Sequence, residues 1–195
     1  MLILCMDTSH KHMGIALLNE EGIIDQTVKD CFKKQSETLL PEVDALLKKN
    51  GFVPKDITEI CISKGPGSYT GVRIAMTVAK TLGALASIPV DTVSTLRLYS
   101  AGKDGLVLLD ARSHRGYTGI FGEENFEGIL DLDEIQKKAE GKEVFGDGSL
   151  IGRENRYLPI GECFDSTRGE WQRVENIHTL VPEYFKGNEG YKTIQ

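Results

Sequence analysis

Two short runs of this 195-residue chain carry the residue types for chemistry on a phosphate. Asp7-Thr8-Ser9 closes an apolar segment with a carboxylate and two hydroxyls, groups suited to hydrated Mg²⁺ and phosphate oxygens. Its structural alternative is an Asx-type turn that stabilises only its own backbone. Gly65-Pro66-Gly67-Ser68-Tyr69-Thr70-Gly71 follows a second apolar segment, residues 59–63, and opens into a helical pattern. Glycines permit positive φ and close backbone approach, and a helix N-terminus favours negative charge. Such a loop can cradle an anion or seat another polypeptide's backbone.

Known catalytic spacings do not match. Lys64 precedes the loop, whereas a Walker A lysine follows it, and Gly65-x-Gly67-x-x-x-Gly71 is one residue too long for a dinucleotide turn. Pro66 stands where G-x-S-x-G needs glycine before Ser68. His10, His12, His114 and His178 form no zinc-binding spacing. Cys5, Cys31, Cys61 and Cys163 are scattered, as in a protein of a reducing compartment.

With 40% hydrophobic residues the chain can bury a substantial core. A net charge of −6 gives no broad basic field for nucleic acid. Lys33-Lys34, Lys48-Lys49, Arg112 with Arg115, and Lys137-Lys138 read as solvated faces, so any RNA contact is local and secondary. Asp7 interrupts the apolar N-terminus too early for a signal peptide, and no apolar run reaches membrane-spanning length. A soluble, cytoplasmic protein is expected.

Residues 2–6, 13–18 and 23–28 read as an antiparallel meander. Leu39, Leu40, Val43, Leu46 and Leu47 form a helical stripe stopped by Lys48-Lys49-Asn50-Gly51. Ser36 offers one start for that helix; Pro41 argues for a start near Leu40 or a kink. Strand 59–63, a helix over 70–86, strand 90–93, a short helix near 96–101 and strand 106–110 continue an α/β alternation. Residues 117–121 can pair back as a hairpin, residues 132–139 form a helix, and 143–145 a strand. The remainder reads as irregular.

Gly71, Ala75, Ala79, Gly83 and Ser87 lie four apart, one row of small residues on the second helix. Val72, Met76, Val78, Leu82 and Leu85 flank it, leaving the helix apolar around most of its circumference. Part of that surface either packs on the chain's own sheet or receives another protein.

Taken in order, Asp7-Thr8-Ser9, Ser36-Glu37-x-Leu39-Leu40-Pro41, the Gly65–Gly71 loop with Arg73, and Asp110-Ala111-Arg112 resemble the bacterial TsaB (YeaZ) family over residues 2–121. Gly146-Asp147-Gly148 and Val181-Pro182-x-Tyr184 are fainter echoes. The resemblance implies an α/β, two-lobed actin/sugar-kinase/heat-shock-ATPase (ASKHA) fold. Its N-terminal lobe would be residues 1–95 and its smaller, reduced C-terminal lobe residues 96–195.

The resemblance also implies a catalytically degenerate partner of TsaD, the transferase that places threonylcarbamoyl on the adenosine beside the tRNA anticodon. TsaE would join the assembly, tRNA would be met mainly through TsaD, and the protein alone would form a homodimer. The implied helix-bundle interface carries Leu40, Val43, Leu47, Tyr69, Gly71, Val72, Ala75, Met76, Ala79 and Leu82. Asp7, Thr8, Ser9, Gly65, Gly67 and Ser68 would be a vestigial phosphate site with at most weak Mg/ATP binding, and no metal site is expected. The rival reading is a Mg-ATP-binding phosphotransferase of the same superfamily.

Overall fold

A computed structural model describes residues 1–31, 34–185 and 192–193. Lys33, half of one basic pair noted above, lies outside them. Alternating apolar residues build a first sheet from β1 (Ile3–Asp7), β2 (His12–Asn19) and β3 (Gly22–Asp30), paired antiparallel in sequence. After α1 (Gln35–Lys49), β4 (Glu59–Ser63) pairs parallel with β1. After α2 (Tyr69–Ala86), β5 (Val90–Val93) pairs parallel with β4.

The period-2 pattern sends Leu4, Met6, Met13, Ile15, Ile60 and Ile62 to one face, under α1 and α2. Ile3, Cys5, Ala16, Leu18 and Cys61 go to the other. Helix α1 runs through Pro41 from Gln35, with neither the late start nor a cap from Ser36: Lys34 stands at the cap. Gln35 Nε2 instead donates to the His10 carbonyl at 2.7 Å, a tertiary hydrogen bond that anchors the first turn.

Helix α3 (Thr95–Tyr99) leads to a second sheet of β6 (Gly105–Arg112), β7 (Arg115–Phe121) and β8 (Phe126–Asp131), a meander that extends the expected hairpin by one strand. Helix α4 (Leu132–Lys138) covers one face around Leu106, Leu108 and Ile135, and β9 (Val144–Gly146) pairs parallel with β6. The other face, with Val107, Leu109 and Phe145, packs on Leu96 of α3.

The chain then returns. Helix α5 (Ile160–Ser166) puts Ile160, Cys163 and Phe164 on the free face of the first sheet, and β10 (Gln172–Arg173) pairs with β5 at its edge. Residues 160–173, assigned from sequence to the second lobe, therefore pack on the first. The short β11 (Lys192–Thr193) pairs with β8. Among the described residues no helix is long and apolar enough to cross a membrane.

At the β10 edge, Arg173 bonds Asp91 (3.1 Å) and Glu59 (3.0 Å). Burial, then a hydrogen bond shared with Glu59, pushes Asp91 up to about 7 despite the guanidinium. Its folded pKa thus lies above the unfolded value near ~3.9. The stability it contributes is complete below that value and is lost as pH rises through about 7. Asp91→Asn keeps a donor for Glu59 without a titrating proton. It should flatten the decline between pH 4 and 7 and gain roughly 1–2 kcal/mol at pH 8, read from urea midpoints. Parallel pH curves for the two proteins would show that the pair titrates normally.

Candidate functional site

Asp7, Thr8 and Ser9 meet the glycine loop directly, because β1 and β4 are parallel neighbours whose C-terminal ends lie together. Each glycine answers a demand of the chain's own backbone. A Cβ on Gly67 would meet the Ser9 carbonyl oxygen at 2.5 Å, and one on Gly71 would collide with that of Thr8. Gly65, at φ +110°, faces the backbone of Glu183, whose amide donates to the Lys64 carbonyl at 2.8 Å. The Ser68 amide donates to Ser9 O at 2.7 Å, while the Ser68 hydroxyl caps α2 by accepting from Gly71 N.

Thr8 enters the helix itself. Its hydroxyl donates to Gly71 O (2.6 Å) and accepts from Ala75 N (3.0 Å), bridging a step of the α2 ladder. The loop therefore seats a backbone, and that backbone is its own.

The Asp7 carboxylate is equally engaged. One oxygen accepts from Ser9 N (3.0 Å) and the Ser63 hydroxyl (2.5 Å); the other accepts from the Tyr99 hydroxyl (2.9 Å). Burial first, then the neighbouring Asp7 charge, pushes the Tyr99 phenol well above its usual range, so it stays a donor. The cavity beside Asp7, lined also by His12, Tyr99, Tyr157 and Cys163, has a volume of about 40 Å³. That is room for water and far below the ~300 Å³ at which ligand pockets begin. These residues do not fit Mg-ATP: the carboxylate oxygens and the loop already face protein groups.

A second carboxylate joins the two sheets. Asp147 follows β9 and accepts from His10 Nε2 (2.8 Å), Asp110 N (2.9 Å) and the Tyr157 hydroxyl, with Lys11 Nζ at 3.4 Å. Burial alone would raise its pKa, but the His10 and Tyr157 hydrogen bonds hold it well below the usual carboxylate range. The rings of His10, His12, Tyr99 and Tyr157 cluster around this point, with centroids 5.4–6.4 Å apart. Burial lowers His12 and pushes the Cys163 thiol up to about 12, which leaves that sulfur a poor nucleophile. Tyr157 and the joining role of Asp147 were not legible in the sequence, although Gly146-Asp147-Gly148 drew attention.

A larger groove lies elsewhere. Between the outer sides of α1 and α2, a 440 Å³ depression is lined by Ser36, Tyr69, Thr70, Arg73, Ile74, Thr77 and Val78. Tyr69 is 62% exposed, and so is much of Leu40, one turn beyond Ser36 on α1, at 53%. The Tyr69 ring stacks on Tyr184 at 5.0 Å, and its hydroxyl accepts from Arg73 (2.7 Å).

The family model described as TsaD: tRNA N6-adenosine threonylcarbamoyltransferase matches residues 26–131. The "tRNA threonylcarbamoyladenosine biosynthesis protein TsaB" of Bacillus subtilis is 41% identical, over 95% of this chain and 94% of that protein. The chain belongs to the TsaB (YeaZ) family. The Escherichia coli TsaB is 30% identical over 100% of this chain and 98% of its own length. The solved structure of YeaZ from Pseudomonas aeruginosa superimposes with a TM-score of 0.71 at 23% identity, over 94% of this chain and 99% of that one.

For this TsaB-family chain the expected interface list needs correction. Val43, Leu47, Gly71, Val72, Ala75, Met76 and Ala79 are buried in the chain's own core. The small-residue row faces inward from Gly71 to Gly83, because contact with the Thr8 backbone requires Gly71 and contact with Val90 favours Gly83, while Ser87 is exposed at the cap beyond the helix. Leu82 is half-buried, so Leu40 and Tyr69 alone among the ten are freely exposed. Arg73, Thr77 and Thr81 lie on the solvent face of α2, which becomes apolar toward its C-terminal end, where Leu85 is 82% exposed.

Proposed function

We propose that the chain takes part in tRNA threonylcarbamoyladenosine biosynthesis as a non-catalytic partner of TsaD, docking through the outer sides of α1 and α2. The names of its relatives and the threonylcarbamoyltransferase model support the pathway. The observation that carries the docking reading is the 440 Å³ groove, lined in part by the exposed Tyr69, with the exposed Leu40 one helical turn from the lining residue Ser36. A large exposed aromatic beside an arginine is the kind of anchor that dominates protein interfaces. The protein-filled glycine loop and the fully hydrogen-bonded Asp7 argue against phosphoryl transfer in this chain.

In this reading the two sheets are the lobes of an ASKHA-type fold retained as a scaffold. The same helices make a homodimer when TsaD is absent, TsaE joins the assembled complex, and tRNA is met mainly through TsaD. The test is Leu40→Glu combined with Thr77→Glu, two exposed positions, the second in the groove lining and the first one turn from Ser36. A buried charge at the centre of a ~1,600 Å² interface should weaken co-elution with TsaD from the same genome by at least about 100-fold. The double variant should sediment as a monomer with an unchanged circular dichroism spectrum. Full co-elution by the variant would refute this surface.

A further inference from the structure

After β10 the chain runs back across both sheets as a strap with little regular structure, and apolar packing holds it at each end. Ile177 and Leu180 pack against the core beneath α2, while Phe185 packs against Leu96, Val107 and Phe145 of the second core. Between these points the strap is clamped by hydrogen bonds. Lys80 Nζ, on α2, donates to His178 O (3.1 Å) and Leu180 O (2.8 Å). Glu183 N donates to Lys64 O (2.8 Å), and Lys64 Nζ lies 3.3 Å from the Glu183 carboxylate.

One residue of the strap reaches the docking surface. The Tyr184 ring stacks on that of Tyr69, the first residue of α2, with centroids 5.0 Å apart and planes inclined by 22°. On its other contacts the Tyr69 side chain meets Arg73, which donates to its hydroxyl (2.7 Å) and places its guanidinium carbon 5.3 Å from the ring centroid. A large aromatic left in solvent normally samples several rotamers, whereas this one is held in one. An anchor already fixed in place loses less side-chain entropy when a partner closes over it.

Tyr184 itself lies outside the lining of the α1–α2 groove. Its hydroxyl is buried with no hydrogen-bond partner among the described residues, an unfavourable arrangement that phenylalanine would avoid. The ring therefore makes the useful contact, and that contact is with Tyr69.

We propose that residues 180–185 are a positioning strap for the docking surface: Tyr184 fixes the Tyr69 ring in the orientation in which it enters an apolar recess of TsaD. This inference rests on the docking reading given above and assigns a role to a segment outside the two docking helices. Tyr184 is a positioning residue, acting through Tyr69.

The test is surface plasmon resonance of the full chain over immobilised TsaD from the same genome, with melting curves as the fold control. Tyr184→Ala should weaken binding roughly three- to tenfold, the range of an aromatic pair. Tyr184→Phe should bind like wild type and melt no lower, because the lost hydroxyl had no partner. In a chain already carrying Tyr69→Ala, Tyr184→Ala should change Kd by less than about twofold, since nothing is left to position. Should Tyr184→Ala melt early, Lys80→Met loosens the strap from α2 without touching the aromatic pair, and it should weaken binding about threefold. Equal losses with and without Tyr69 overturn the proposal, because Tyr184 would then act independently of that ring. So does weakened binding by Tyr184→Phe. Tight binding by wild type and by Tyr184→Ala alike overturns the strap's role and leaves the docking reading standing, whereas wild type that fails to bind TsaD overturns both.

Discussion

Gly71→Ala is expected to destabilise the protein by about 3 kcal/mol, although it adds the best helix-forming residue to a helix. Propensity alone predicts a gain of roughly 1 kcal/mol. Packing decides against it, because the added Cβ points at the carbonyl oxygen of Thr8, a buried backbone atom just past the end of β1. The Ser68 Cβ stands 3.0 Å away on another side. Relief requires α2 to move off the sheet, which breaks the Thr8 hydroxyl bridge between Gly71 O and Ala75 N. Urea unfolding at neutral pH measures the change. A variant as stable as wild type would mean that α2 has slack at its first turn and that the glycine serves something else.

Asp7→Ala should cost about 3–5 kcal/mol, because it strands the Ser63 hydroxyl, the Tyr99 phenol and the Ser9 amide in the interior. Asp7→Asn should recover part of the loss: the amide oxygen still accepts while its NH₂ faces a donor. TsaD co-elution should fall only with the folded fraction. A near-normal urea midpoint for Asp7→Ala, together with loss of a Mg·ATP heat seen for wild type, would reverse the assignment and make Asp7 a ligand-binding group.

The elements that repeat strongly were legible. The meander 2–28, strand 59–63 and helix 70–86 follow from period-2 and period-3.6 patterns long enough to establish themselves. Helix α5 was not, since Ile160-Gly161-Glu162-Cys163-Phe164-Asp165-Ser166 spans under two turns, contains a glycine and has no side-chain cap. Strand β8 carries Gly128 at its centre and follows an acidic turn, so local sequence gives it little strand character.

The glycine loop shows a deeper limit. Its spacing announces that something approaches closely, but the approaching atoms belong to Thr8, Ser9 and Glu183, remote in sequence. The row along α2 misled for the same reason: small residues mark a close contact without saying which side of it is solvent. Asp147 is likewise unreadable alone, since its partner His10 lies 137 positions away.

Because α5 and β10 are supplied last, the first sheet cannot be finished while the chain is still being made. Ile3, Cys5, Ala16 and Leu18 wait for Phe164 and its neighbours, which reach them only when most of the polypeptide has left the ribosome. During synthesis the N-terminal half shows a bare oily face and an unpaired β5 edge, the features that recruit chaperones or invite aggregation. A premature stop before residue 160 therefore yields an insoluble product instead of a smaller working module.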